Sequence, residues 1–193
     1  QMGKKSTFYR FYIEPLENKI LIIYANGNFT HLDGKIEKKV RSNFSSALAG
    51  IKILGSLKYE QNLFISYDAN EKKITDPSNK ECNYLKVAKA SLKKKDLVFE
   101  EIYRTKDCIV DPGISAGKMV IYKNSSILLS TAAQFKFKNL AQDPESSFGK
   151  IILINLEDYK HQIFSSGHRN PMGLLVEDDL ILETEHGPCG GDE

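Results

Sequence analysis

The 193-residue chain has no run of 18 or more apolar residues, so no segment reads as a membrane-spanning helix. It lacks a dominant charge: Lys+Arg 27 against Asp+Glu 25 leaves +2, too even for a nucleic-acid surface spread along the whole chain. Cysteine is scarce. Cys82, Cys108 and Cys189 share no tight spacing, and three cannot all pair within one chain, so they say little about redox compartment. The chain begins at Gln1 without an apolar leader, so an export signal is expected to be already removed or never included. The remainder, 41% hydrophobic and 27% charged, is a globular composition that excludes a disordered, collagen-like or disulfide-framework protein.

Strand signals dominate. Phe8–Ile13 alternates, Lys19–Tyr24 is a compact apolar run, and Asn26-Gly27 and Asp33-Gly34 are tight-turn cues before Phe29–Leu32 and Lys35–Val40. Leu63–Tyr67 reads as a short buried strand ending in a turn at Asp68-Ala-Asn70. Tyr84–Ala90, Leu97–Tyr103, Lys118–Tyr122, Ser126–Ser130, Lys150–Asn155, Gly173–Val176 and Leu180–Glu183 continue the pattern. Only Phe44–Gly50 and Leu140–Phe148 suit short helical turns. Many short strands with near-regular turns predict an all-β sandwich, barrel or propeller in a single domain over residues 1–193. A strand, turn, strand unit near 19–32, 118–130 and 173–183 fits loosely with propeller blades of about 40–50 residues.

Two polar clusters fall at predicted strand ends, where binding residues gather. Ser166-Gly-His-Arg-Asn-Pro171 offers the planar donors of Arg169 and the amide of Asn170, held extended by Pro171. Both side chains suit a carboxylate or quinone oxygen, or equally the carbonyls of their own loop. Glu183–Glu193 contains His186 and Cys189, a thin zinc pair. Its Gly187 and Pro188 carbonyls suit a hard cation such as calcium, and a flexible acidic tail is the alternative. The basic residues Lys86, Lys89, Lys93, Lys94 and Lys95 read as the solvated face of a strand and its turn. No phosphate loop, nucleophile elbow or paired-carboxylate motif stands out.

The two clusters together, Gly-His-Arg-Asn-Pro-Met-Gly-Leu and then Glu185-His-Gly-Pro-Cys-Gly-Gly-Asp-Glu193, resemble the soluble PQQ-dependent aldose sugar dehydrogenases, the glucose/sorbosone dehydrogenase family. That family reads G-H-R-N-P-Q-G-L, then E-H-G-P-x-G-G-D-E. Ala141-Gln-Asp143 with Phe148–Asn155, and Gln61–Tyr67, are similar to further family segments. The resemblance implies a six-bladed propeller around a central cofactor, with about half the blades present in this chain. It also implies exposed strand edges and an apolar flank, and a second chain completing the ring as a possible partner.

It further implies PQQ and calcium as cofactors, an aldose as substrate, and a periplasmic or secreted location. Arg169 and Asn170 match the pair at the quinone, followed by Met172 where the family has Gln. The carbonyls of Gly187 and Pro188 match calcium ligands, and Asp192 matches a residue beside the sugar. The family abstracts hydride from the sugar C1 while a histidine takes the hydroxyl proton and an aspartate orients it. Here those positions are Ile114 and Ala133, and a substrate glutamine aligns with Ser45. Isoleucine and alanine carry no titratable proton, so the resemblance implies a PQQ-dependent aldose dehydrogenase, or a piece of one, that is expected to be inactive as this chain alone. The alternative is a non-catalytic propeller fragment that binds a small molecule or a protein partner.

Overall fold

The computed structural model describes residues 11–44, 51–72, 81–110, 114–133 and 135–187. They form three antiparallel four-stranded sheets and a hairpin, each strand pairing with the next in sequence. The first sheet holds β1 (Phe11–Pro15), β2 (Ile20–Tyr24), β3 (Phe29–Asp33) and β4 (Ile36–Val40). The second holds β5 (Lys52–Tyr59), β6 (Asn62–Lys72), β7 (Glu81–Ser91) and β8 (Glu100–Arg104). The third holds β9 (Ala116–Tyr122), β10 (Ser126–Thr131), β11 (Lys150–Asn155) and β12 (His161–Ser166), with a 3-10 helix at Phe135–Ala141. The hairpin is β13 (Pro171–Glu177) and β14 (Leu180–Glu185). The first strand of each unit lies beside the first strand of the next: β1 by β5, β5 by β9, β9 by β13. Meanders that touch through their leading strands are blades of a propeller, here an incomplete one.

The cores lie between neighbouring blades. Leu21, Ile23, Phe29 and Val40 of the first sheet pack on Leu63, Ile65, Tyr67 and Ala69 of β6. Phe64 of β6, with Leu85 and Val87 of β7, faces the other way, onto Met119, Ile127, Leu129, Ile152 and Ile154 of the third sheet. Alternation along β6 therefore buries both of its faces, which is why Leu63, Phe64 and Ile65 are apolar in succession. The leading strands approach very closely. A Cβ on Gly55 would stand 2.5 Å from the Gly117 carbonyl oxygen, and that oxygen accepts a 2.5 Å hydrogen bond from Ser66 Oγ.

Most predicted strands are present, and the departures have physical causes. Asp68-Ala-Asn70 is not a turn: Asp68 pairs in register with Lys52 and Leu85, and β6 runs on to Lys72. The helical segment ends at Ala141, earlier than Leu140–Phe148 suggests, and residues 45–50 lie outside the described set. Lys86 is not solvated. Only 4% of it is exposed, between Glu71 and Glu101, the latter at 2.9 Å. Lys89 donates to the Tyr159 hydroxyl at 2.9 Å, while Lys93, Lys94 and Lys95 are exposed, as expected of a solvated turn. Cys82 and Cys108 form a disulfide with Cα atoms 5.7 Å apart, beside the antiparallel bridge Asn83↔Ile109.

The expected apolar flank is visible at both ends of the array. Phe11, Ile13, Ile20 and Ile36 are exposed on the first sheet, and Leu175, Leu180 and Leu182 on the hairpin. No helix among the described residues is long and apolar enough to cross a membrane.

Candidate functional site

The site is built where the loop 167–170, between β12 and β13, meets the end of β14. Gly149 sets this junction. It has φ +69°, and its carbonyl accepts the Gly167 and His168 amides, each at 3.1 Å. Lys150, fully buried, donates through Nζ to the carbonyls of Leu140, Ala141 and Phe148 at 2.8, 2.7 and 3.1 Å. Burial pulls the Lys150 ammonium below the ordinary lysine range, against attraction by Asp143 and Asp107. Ala141 and the Phe148-Gly-Lys segment thus form one buried frame beneath the loop, while Gln142 and Asp143 face outward.

Glu185 fastens the loop from the other side. Its Oε2 accepts the Arg169 amide at 2.9 Å and the Asn170 amide at 3.5 Å, and its Oε1 stands 2.9 Å from His168 Nδ1. Glu183, two residues earlier on the same face of β14, places Oε2 3.0 Å from the same nitrogen. His168 Nε2 meets Ser165 Oγ at 2.9 Å. The bond with Glu183 raises the His168 pKa, against a smaller effect of burial. Burial raises Glu183. Burial also pushes Glu185 upward, but its bonds with Glu183, the two loop amides and His168 outweigh that and leave it lowered. Glu185 is the carboxylate that holds the loop.

Arg169 points back onto its own neighbourhood. Its Nη1 donates to the His186 carbonyl and, at 2.8 Å, to the Gly187 carbonyl. Asn170 is 6% exposed; its Oδ1 accepts from Ser115 Oγ at 2.9 Å, and its carbonyl accepts the His186 amide at 3.3 Å. Met172 is half-buried on β13. Ser115 adjoins Ile114, and the Ala133 amide donates to the Arg169 carbonyl at 2.9 Å, so both aligned proton-transfer positions lie next to this loop. Their side chains belong to the apolar core between the second and third sheets, Ile114 2% and Ala133 1% exposed. Ser45, Pro188, Cys189 and Asp192 lie outside the described residues.

These contacts test the implied cofactor set. A calcium ion on the Gly187 carbonyl would face the Arg169 guanidinium, a cation already bonded to that oxygen. The Arg169 side chain would have to turn away from the Gly187 carbonyl for a calcium ion to sit there without facing a cation.

Two groups here escape a reading of the sequence. One is the His168–Glu183–Glu185 cluster, whose signal is two glutamates at i and i+2 on one strand, downstream of a loop histidine. The other is Asp68, 4% exposed, whose Oδ2 accepts the Ile114 amide at 2.9 Å while Oδ1 is buried without a partner among the described residues. Burial raises the Asp68 pKa, with the Ile114 amide and Lys52 opposing. A carboxyl raised in the folded state binds its proton more tightly there than in the unfolded chain. Its contribution therefore declines as pH rises from the usual carboxylate range through the folded pKa. Asp68→Asn should stabilise the protein by about 1 kcal/mol at pH 7 and leave it nearly unchanged at pH 3. Urea unfolding at the two pH values checks this, and equal effects at both would contradict it.

The comparisons agree with this architecture. A profile described as Glucose / Sorbosone dehydrogenase matches residues 12–193, and the chain belongs to that family. Among solved structures it is similar to a glucose dehydrogenase, with TM-score 0.73, 20% identity, and coverage of 96% of this chain and 59% of that one. It is likewise similar to the soluble aldose sugar dehydrogenase from Escherichia coli in its apo form, with TM-score 0.72, 19% identity, and coverage of 96% and 58%. A putative oxidoreductase (glucose dehydrogenase) from Thermus thermophilus follows at TM-score 0.60, 16% identity, and coverage of 94% and 62%. No curated protein matches the sequence. The chain thus spans about three fifths of the length of these structures.

Proposed function

We propose that this chain is a non-oxidising member of the glucose/sorbosone dehydrogenase family, a propeller module that binds a small molecule or a protein through the face carrying Arg169 and Asn170. One observation carries the reading: Ile114 and Ala133, the residues that the motif resemblance matches to the family's base and its orienting carboxylate, are buried in the apolar core. Proton transfer needs a titratable group within hydrogen-bond reach of the substrate hydroxyl. The nearby Asp68 is itself buried and turned to the Ile114 amide. The engagement of Gly187 by Arg169 argues in the same direction against a resident calcium.

Purified protein given PQQ, calcium and an aldose is expected to reduce no acceptor dye, and PQQ with calcium is expected to leave its Tm unchanged. Dye reduction that Arg169→Ala abolishes would overturn the proposal. A Tm rise without turnover would retain the inactive reading and restore the cofactor.

The second reading is PQQ-dependent oxidation of a sugar by a ring that a further segment or a second chain completes. Family membership favours it, as do the apolar residues exposed at both ends of the array. A periplasmic or secreted location is supported by the Cys82–Cys108 disulfide, a bond that persists in oxidising compartments.

A further inference from the structure

The junction of the loop 167–170 with β14 holds more acceptors than its protons satisfy. His168 Nδ1 carries at most one proton, yet Glu185 Oε1 and Glu183 Oε2 both stand within 3.0 Å of it. Glu183 Oε1 is buried and accepts no hydrogen bond from the described residues. Ser165 Oγ takes the opposite ring nitrogen at 2.9 Å, which allows Nε2–H to donate and frees the Nδ1 lone pair to face the carboxylates. That is the outer-shell arrangement which orients a metal-binding imidazole.

We propose that His168, Glu183 and Glu185 form a binding site for a first-row divalent metal ion of the zinc class. One imidazole nitrogen and two carboxylates make the three-protein-ligand set that leaves a fourth position for water. The candidate ligand atoms all lie within 4.8 Å of one another. Bonds of about 2.0–2.1 Å in a tetrahedron put ligands about 3.3 Å apart. The Nδ1–oxygen separations of 2.9 and 3.0 Å need to open by only a few tenths of an ångström to admit the ion. The ion displaces the Nδ1 proton to solvent and supplies the positive charge that both carboxylates face. The mixed nitrogen and oxygen set favours zinc, cobalt or nickel over calcium, which prefers six to eight oxygens. The site stands apart from the Gly187 carbonyl, which Arg169 holds, but the two are joined through Glu185 and the Arg169 backbone. Metal on Glu185 Oε1 leaves Oε2 on the Arg169 amide, so occupancy clamps the loop.

The test is titration of the metal-stripped chain with Co2+ and with Zn2+, read by absorption and by calorimetry. One ion per chain is expected, with the intense visible bands of four-coordinate cobalt, and a tenfold excess of calcium should not displace it. Glu183→Gln is the informative variant because Glu183 holds no loop amide; it should weaken Zn2+ binding at least tenfold, and Cys189→Ser should leave binding unchanged. If Glu183→Gln fails to fold, His168→Gln carries the same expectation. Absence of binding, displacement by calcium, loss of binding in Cys189→Ser, or wild-type affinity in the glutamine variants would each overturn the site.

Discussion

Gly149→Ala is expected to lower stability by about 3 kcal/mol and to loosen the loop that carries Arg169 and Asn170. Two costs add. The residue sits at φ +69°, where a side chain costs about 1–2 kcal/mol. The new Cβ would also stand 2.6 Å from both the Ala141 Cα and the His168 carbonyl oxygen, and overpacking of this kind costs about 1–3 kcal/mol. Both neighbours are backbone, one under the frame of Lys150 and one in the loop, so neither yields by a rotamer change. Gly34→Ala is the internal control: its φ is +59° but its Cβ meets nothing within 4 Å, so only the conformational cost applies. Chemical denaturation of the two variants should separate them by about 2 kcal/mol, and hydrogen exchange at the Gly167 and His168 amides should rise in Gly149→Ala alone. Equal losses would show that the junction is softer than the close approaches indicate.

Removing the disulfide should have an effect of similar size. Cys82 and Cys108 are 26 residues apart, and closing a loop of that length is worth about 3.5 kcal/mol through the unfolded chain. The double variant Cys82→Ser, Cys108→Ser should unfold at correspondingly lower urea, and reductant should shift the wild type to the same midpoint without moving the variant. An unchanged midpoint in the double variant would mean that the native bridge Asn83↔Ile109 alone holds the segment, through the paired backbone bonds at 2.8 and 3.0 Å.

The fold is readable wherever turn chemistry and apolar runs coincide. Asn26-Gly27 and Asp33-Gly34 connect the strands they are expected to connect, and Gly27 and Gly34 adopt φ 84° and 59°. Strands without that signal escape notice. In β5, Gly55 and Ser56 interrupt the apolar pattern because a neighbouring leading strand, at Gly117, passes too close for a side chain. The edge strand β12 is largely exposed, with Ile163 and Phe164 both 40% accessible, and so shows no inward alternation. Asp68 misleads because a carboxylate inside a ladder looks like a turn residue until its partners Lys52 and Leu85 are known. Lys86 misleads for a related reason, since the glutamates that neutralise it, Glu71 and Glu101, are distant in sequence on either side.

The candidate site is legible as two motifs but not as an arrangement. Their residues do meet, through Glu185 on the Arg169 amide and Arg169 on the Gly187 carbonyl. What spacing does not convey is the direction of those contacts: the first motif's guanidinium serves the second motif's carbonyls, and the second motif's glutamate serves the first motif's backbone. The disulfide is likewise beyond a count of three cysteines, because pairing is decided by the 5.7 Å Cα separation that the second sheet creates.

The middle sheet of the three is a party wall. It presents Leu63, Ile65 and Tyr67 to one neighbour and Phe64, Leu85 and Val87 to the other, so each adjoining compartment depends on it while neither depends on the far one. Damage to an outer sheet is therefore confined to one compartment, as in an array coupled only between nearest neighbours. Damage to the wall itself brings down both at once, and the covalent tie at Cys82 is fitted to the one element whose failure would propagate both ways.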